Sequence, residues 1–312
     1  MRKYTTEFLY NVRAIQYVVV QQPELEKVSE QLWTEQIEPA HIYMVCRRPK
    51  ISVVPELTEF SDEAVVGAFR VWHGAEYEEV RYRVPNRIGR SDLRLEAPWP
   101  GTYFEIKTPS DEVVSWGNAA MMVTHFGPRF SRHLNLEVLY VGQSFGFEGS
   151  RTAKDRLRSH ETLQGIYAEA LARSPDFDIW LVLVSFEDPY LMIEIDPTKP
   201  AAMTDDEDNV HIGAVLATPV SLQQEVNLTE AILIRYFDPP YNTMFRKSFP
   251  NPAHASYREC YELDFHSVSV ELDTENINSQ LWSAARPASW LHLPQYPLHA
   301  SEHRESMFGI FN

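Results

Sequence analysis

Between Asn227 and Asn242 the sequence reads NLTEAILIRYFDPPYN, and its consecutive prolines, Pro239 and Pro240, impose a limit that packing cannot relax. Proline has no backbone N–H and disfavours α conformation in the residue before it, so a helix through EAILIRYF must stop near Asp238. Asn227 with Glu230 three residues later has the spacing of an N-cap and its reciprocal acid, which predicts that the helix opens at Asn227. PPYN then turns the chain back. Any fold must therefore hold a helix of about three turns that ends in a sharp reversal.

The chain as a whole, 312 residues, can bury a substantial core, and 44% hydrophobic with 23% charged residues excludes a disordered or fibrous class. The longest apolar stretches, such as Ile179 to Val184, fall far short of the roughly 20 residues a membrane span needs. MRKYTTEFLYNVRAIQ has no apolar signal core, so neither a secretory leader nor a membrane association is expected. Cys46 and Cys260 are too few for a disulfide framework or a thiolate metal site, and they suit a reducing, cytoplasmic setting.

A formal charge of −16 argues against a surface coated for nucleic acid, because nonspecific affinity comes from Lys and Arg neutralising phosphates. It leaves room for a local basic site. Ser150 to His160 carries Arg151, Lys154, Arg156 and Arg158 against Asp155 alone, and Arg246 with Lys247 forms a second cluster.

Periodicity sketches an α+β chain. Ala14 to Val20, His41 to Cys46, Glu79 to Val84 and Thr102 to Lys107 read as strands, and Glu24 to Ile37 as a polar helix. Glu137 to Gly142 reads as a strand running into a glycine turn, after which Thr152 and Asp155 have capping-box spacing. Leu163, Ile166, Tyr167, Ala170 and Leu171 make one apolar helical face, so Gly165-Ile166-Tyr167 lies on an amphipathic helix. Asp178 to Phe186 is bulky and β-branched, a buried central strand. The acidic run 205 to 208 is expected in a solvated loop. It lacks the spacing of a calcium loop, and His254 and His266 are too isolated for zinc. Tyr261 to Leu272 and the proline-containing tail suggest a β-rich extension. The boundaries expected are 1–100 for an N-terminal α+β accessory region serving target recognition or dimerisation, 101–248 for a central domain, and 249–312 for the extension.

Within the central domain several side chains suit phosphodiester chemistry. Arg156 and His160, four apart on a predicted helix, share one face about 6 Å apart and can grip one phosphate. Glu230 can hold one Mg²⁺, which takes few protein ligands and keeps several waters. Tyr140 ends a strand, and Asn242 follows the Glu230 helix. A tyrosine serves as base near neutrality only where its phenolate is favoured.

These residues resemble the GIY-YIG nuclease superfamily, whose small sheet and helices carry a tyrosine in each of two strands, an arginine, a ring one turn later, a glutamate and a trailing asparagine. Tyr140-Val141-Gly142 is similar to the second half of the signature, Arg156-Leu157-Arg158-Ser159-His160 to the arginine helix, and EAILIRYFDPPYN to the segment from glutamate to asparagine. The resemblance covers Tyr140 to Asn242. It departs in the sixteen residues from Tyr140 to Arg156, in Gln143 where some members carry lysine, and in about forty residues before the Glu230 helix. It departs also at Arg129, which stands where the first tyrosine usually falls. Gly101-Thr102-Tyr103 is taken as that first half, with Thr108 to Leu136 inserted in the hairpin.

The resemblance implies a small mixed β-sheet flanked by helices, with long insertions. It implies a Mg²⁺- or Mn²⁺-dependent endonuclease acting on DNA, double-stranded rather than single-stranded, of restriction or defence type, and compatible with a homo-oligomer. Glu230 would bind metal, Arg156 the scissile phosphate, Tyr140 would be base or water-orienting group, His160 would assist and Asn242 would position the site, with Tyr103 as second tyrosine. Arg151, Lys154, Arg158, Arg246 and Lys247 would contact DNA. Two other readings compete. One is a noncatalytic nucleic-acid-binding module that keeps the fold, and the other an acidic interaction or inhibitor protein for a basic partner. Each candidate also has an ordinary explanation as cap, strand filler or turn residue, and only their joint order raises them above it.

Overall fold

A computed structural model describes residues 1–25, 39–144, 161–299, 304, 305 and 307 as a mixed α/β, strand-rich chain. It opens with β1 (Thr6–Val20), a helical turn α1 (Gln22–Leu25) and β2 (Ile42–Pro49). An insertion follows: β3 (Ile51–Val53), β4 (Glu59–Phe60), β5 (Ala64–His73) and β6 (Glu76–Pro85) make one small sheet, and β7 (Arg94–Glu96), β8 (Tyr103–Lys107) and β9 (Val113–Asn118) another. Helix α2 (Ala119–Thr124) leads to β10 (Leu136–Gln143), α3 (Glu161–Arg173), β11 (Phe177–Phe186), β12 (Tyr190–Ile195), α4 (Asp205–Ala217), α5 (Leu222–Phe237) and α6 (Arg258–Glu262). The last strands are β13 (Ser267–Asp273), β14 (Leu281–Ser283), β15 (Arg286–Ser289), β16 (Leu291–His292) and β17 (Gln295–Pro297).

The main sheet runs β15-β14-β10-β2-β11-β1-β13-β16, with β12 added to β1 and β17 to β13. At its centre β2 is antiparallel to both β10 and β11. Both β2 and β11 are covered on two faces, which is why they read as continuous apolar runs rather than alternating ones. One face carries Ile42, Met44, Val141, Trp180 and Val182 against Val226 and Ile232 of α5. The other carries Tyr43, Val45, Leu139, Leu181 and Leu183 against Leu163 and Ile166 of α3. Leu163 and Ile166 are each 1% exposed, a burial that stabilises by about 2 kcal/mol per side chain.

The proline stop holds: α5 ends at Phe237, and Asp238 adopts the left-handed conformation with its N–H donated to the Ile234 carbonyl. Aspartate tolerates that conformation better than most residues. The start differs from the expectation. Ser221 is the N-cap, so α5 begins over a turn before Asn227, and Glu230 lies inside the helix rather than at its mouth. Asn227 spends its side chain on tertiary bonds instead, donating to the Ser256 carbonyl at 2.9 Å.

The acidic run is likewise no loop. Asp205 to Asp208 form the first turn of α4, where carboxylates favour the positive end of the helix dipole, and Thr204 with Glu207 makes a full capping box. Asp208 is buried and accepts from the Thr6 N–H at 3.1 Å and the Thr6 hydroxyl at 3.0 Å. Tyr261 lies in α6, so the strand expected from there begins only at Ser267.

The boundaries expected at 100 and 248 do not coincide with divisions of the main sheet. Its strands β1 and β2 come from the first hundred residues and β13 to β17 from the last segment, and all pair with one another or with β10 and β11. The two small sheets of residues 51–118 stand apart from it in pairing, while a continuous cluster of buried apolar side chains joins them to it. Among the described residues no helix is long and apolar enough to cross a membrane, and Cys46 and Cys260 are both buried and free.

Candidate functional site

The candidate site is organised by β10. Its register against β2 shifts between Val138 and Tyr140, a bulge that turns Leu139 and Tyr140 to the α3 side together. Gly142 pairs with Tyr43 of β2, and the Tyr43 and Tyr140 rings lie 6.1 Å apart between centroids, tilted by 36°. A Cβ on Gly142 would stand 2.5 Å from the Tyr43 hydroxyl oxygen and 2.7 Å from Tyr140 Cε1. Glycine is required there because two aromatic rings close over the backbone.

Beyond Leu136 and Glu137, which pair with β14, the outer edge of β10 is completed by the turn after α5. Asn242 accepts from the Val141 N–H with Oδ1 and donates from Nδ2 to the Val141 carbonyl, each at 2.8 Å, and the Tyr241 N–H reaches the Leu139 carbonyl at 3.2 Å. A buried side-chain amide thus takes the place of a neighbouring strand, satisfying both polar groups of Val141. The Tyr241 hydroxyl donates to Glu169 of α3 at 2.6 Å, so the same turn ties α3 to the strand. Burial first, then the bond to Glu169, pushes that hydroxyl up to about 12.

Glu230 meets β10 at its C-terminal end. Gln143 Nε2 donates to Glu230 Oε2 and to Asn227 Oδ1, both at 2.9 Å. Gln143 pairs with Ile42, on the α5 side, so the carboxylate and the two tyrosines approach residues 140–143 from opposite faces of the sheet. Gln143 Oε1 is buried with no hydrogen-bond partner. Carboxylate and amide oxygens together are the hard donors that Mg²⁺ or Mn²⁺ prefers, but Gln143 turns its nitrogen to Glu230, so an ion on this carboxylate would take the orphaned amide oxygen only with the amide turned over and waters completing its shell. Among the described residues no group of three or more His, Cys, Asp and Glu is arranged for a metal. Glu230 with Gln143 Oε1 is therefore a sparse oxygen set rather than a closed cage.

The structure thus brings Tyr140, Glu230 and Asn242 to one stretch of β10. It does not bring Tyr103 there. Tyr103 lies in the three-stranded sheet of the insertion and donates to Gln21 at 3.0 Å. Burial, then the Glu24 carboxylate, raises its pKa, the wrong direction for a base. Tyr167 packs half-buried on α3 with a hydroxyl that burial pushes up to about 12, an ordinary core tyrosine. Arg246 is committed to Asp238 by an ion pair at the end of α5, and Lys247 is exposed. Arg151, Lys154, Arg156, Arg158 and His160 lie outside the described residues.

Tyr43 is the residue that sequence reasoning passed over, and Gln143 enters there only as a departure from the family pattern. His41-Ile42-Tyr43 differs from a glycine-led first string only at its leading position, and it lies within a segment that reads as a strand. What hid it is the distance to Tyr140, filled by the two small sheets. Compared with known proteins, the chain matches no family model, no curated protein and no solved structure.

Proposed function

We propose that the chain is a Mg²⁺-dependent endonuclease that hydrolyses phosphodiester bonds of DNA, on a GIY-YIG-like core in which Tyr43, rather than Tyr103, partners Tyr140. The observation that carries this reading is the convergence on residues 139–143 of β10. Two tyrosines from adjacent antiparallel strands close over Gly142, the Glu230 carboxylate is bonded to Gln143, and Asn242 is locked to Val141. Local sequence cannot arrange that meeting, because Tyr43 and Glu230 come from distant parts of the chain.

In this reading Glu230 and the free Gln143 oxygen hold the cation, with Mn²⁺ able to replace Mg²⁺. The ion, when bound, polarises the phosphate and stabilises the leaving oxygen. Tyr140, with Tyr43 packed beside it on the face of β10 away from Glu230, orients or deprotonates the attacking water at the C-terminal end of the strand, where a bound phosphate would reach both faces, and Asn242 fixes the strand that carries both Tyr140 and Gln143. Arg156 supplies a planar cation to the phosphate and His160 assists the proton transfer.

Plasmid cleavage by the wild-type protein and by Glu230→Ala, each with Mg²⁺ and with EDTA, tests the proposal. Metal-dependent cutting that disappears in a folded Glu230→Ala variant is the expected result. A folded wild type that cuts neither supercoiled nor single-stranded DNA would overturn it, as would undiminished cutting by the variant.

A further inference from the structure

Glu225, one of the two glutamates of α5, lines a cavity that the endonuclease reading leaves unused. The cavity measures about 670 Å³, within the range of small-molecule sites. It opens between the turn joining β11 to β12, the last turn of α4 and the first turn of α5. Buried Tyr10, Val215 and Phe265 make its inner wall, and exposed Leu216 and Leu222 make its rim. The Tyr10 and Phe265 rings are stacked with centroids 5.3 Å apart.

Against these apolar walls the charge is all of one sign. Glu225 and exposed Asp188 line the cavity, and no Lys, Arg or His does. Neither acid has an ion-pair partner among the described residues. The other buried acids among those residues are satisfied within the fold, Glu7 by the Arg304 guanidinium and Asp208 by the N–H and hydroxyl of Thr6. Glu225 is the exception: its carboxylate accepts a long bond of 3.4 Å from the Tyr10 hydroxyl.

The start of α5 adds the partial positive charge of a helix end, which is less than a full cation and falls off within the first turn. Burial first, with Asp188 adding to it, pushes the Glu225 carboxyl up to about 7 although the Tyr10 hydroxyl favours the charged form. A desolvated carboxylate that the fold leaves without a cation gains most from one carried in by a ligand. The apolar walls require that the cation have an apolar body, and the depth of the cavity requires that it be small.

We propose that this cavity binds a small primary amine with an apolar or aromatic body, its ammonium group held by Glu225 and Asp188 and its body laid against Tyr10, Val215 and Phe265. The site lies outside the candidate catalytic strand, and the proposal does not depend on the endonuclease reading.

The test is calorimetric titration of the full chain at pH 8 in EDTA with phenethylamine, the neutral 2-phenylethanol and N-acetyl-lysinamide. Phenethylamine should bind the wild type, and 2-phenylethanol should bind about tenfold more weakly, because it brings no charge to the carboxylate. Glu225→Gln, which keeps the shape of the side chain, should lower the affinity for the amine to that for the alcohol while circular dichroism shows the variant folded. Equal affinity of the wild type for amine and alcohol would overturn the proposal, as would an amine affinity unchanged in Glu225→Gln or a wild type that binds neither. Tighter binding of N-acetyl-lysinamide than of phenethylamine would overturn the small-molecule reading in favour of a lysine side chain. Glu230→Ala should bind phenethylamine as the wild type does, and a loss there would overturn the proposal by placing the amine on the candidate metal carboxylate.

Discussion

Asn242 and Val141 are joined by two hydrogen bonds of 2.8 Å, one in each direction, between a side-chain amide and a strand main chain. Both groups are buried, so Asn242→Ala leaves a main-chain donor and acceptor unsatisfied, a loss of about 2–4 kcal/mol. Cleavage should fall with it, because Tyr140 and Gln143 flank the bonded residue. Asn242→Asp keeps the acceptor for the Val141 N–H but sets a carboxylate oxygen against the Val141 carbonyl. Chemical denaturation should find that variant less stable than wild type at pH 7, with part of the deficit recovered as falling pH protonates the acid. Equal stability of Asn242→Ala and wild type would remove Asn242 from its positioning role.

Gly142→Ala tests the two rings. A methyl group there overlaps Tyr43 of the neighbouring β2 and Tyr140 of the same strand, so the rings or the backbone must shift at a cost of about 1–3 kcal/mol. If those tyrosines work in cleavage, the rate should fall well beyond the stability loss, at a temperature where circular dichroism shows the variant folded. Tyr103→Phe should leave cleavage near wild type.

Gln143→Leu separates metal binding from folding. It removes the orphaned buried oxygen together with the bonds to Glu230 and Asn227. The melting temperature should change little, while Mn²⁺ affinity measured by calorimetry or spin resonance should fall severalfold. Unchanged affinity would take Gln143 out of the metal's surroundings.

Glu225, 9% exposed, lines a cavity with Tyr10 and Phe265. Burial pushes its carboxyl up to about 7, against the Tyr10 hydroxyl, which favours the charged form across 3.4 Å. The folded state then holds a proton that the unfolded chain has already released between about pH 4.5 and 7. The contribution of Glu225 to stability therefore declines as pH rises through that window and stays low above it. Glu225→Gln should melt about 2–4 °C higher than wild type at pH 8 and show no such advantage near pH 4.5. A gap that does not widen with pH would contradict the assignment.

Much of this protein was legible in local sequence. The prolines ended α5, the apolar period placed α3, and the bulky run from Asp178 marked β11, because each depends on residues a few positions apart. Local signals also misled where tertiary contacts outweighed them. Asn227 has N-cap spacing to Glu230, yet its amide bonds Ser256 and Gln143 from inside a helix that Ser221 begins. The acidic run looked solvated, yet Asp208 turns inward to Thr6.

What only the tertiary structure decided is the partner of Tyr140. Tyr43 lies roughly a hundred residues earlier, and no spacing rule reaches across the two small sheets between them. Closing a long loop costs only logarithmically more as it lengthens, so a chain can insert a whole unit between paired strands without losing the pair. The pairing is selected by burial on both faces of β2 and by the ring contact over Gly142, quantities that exist only after the strands have met.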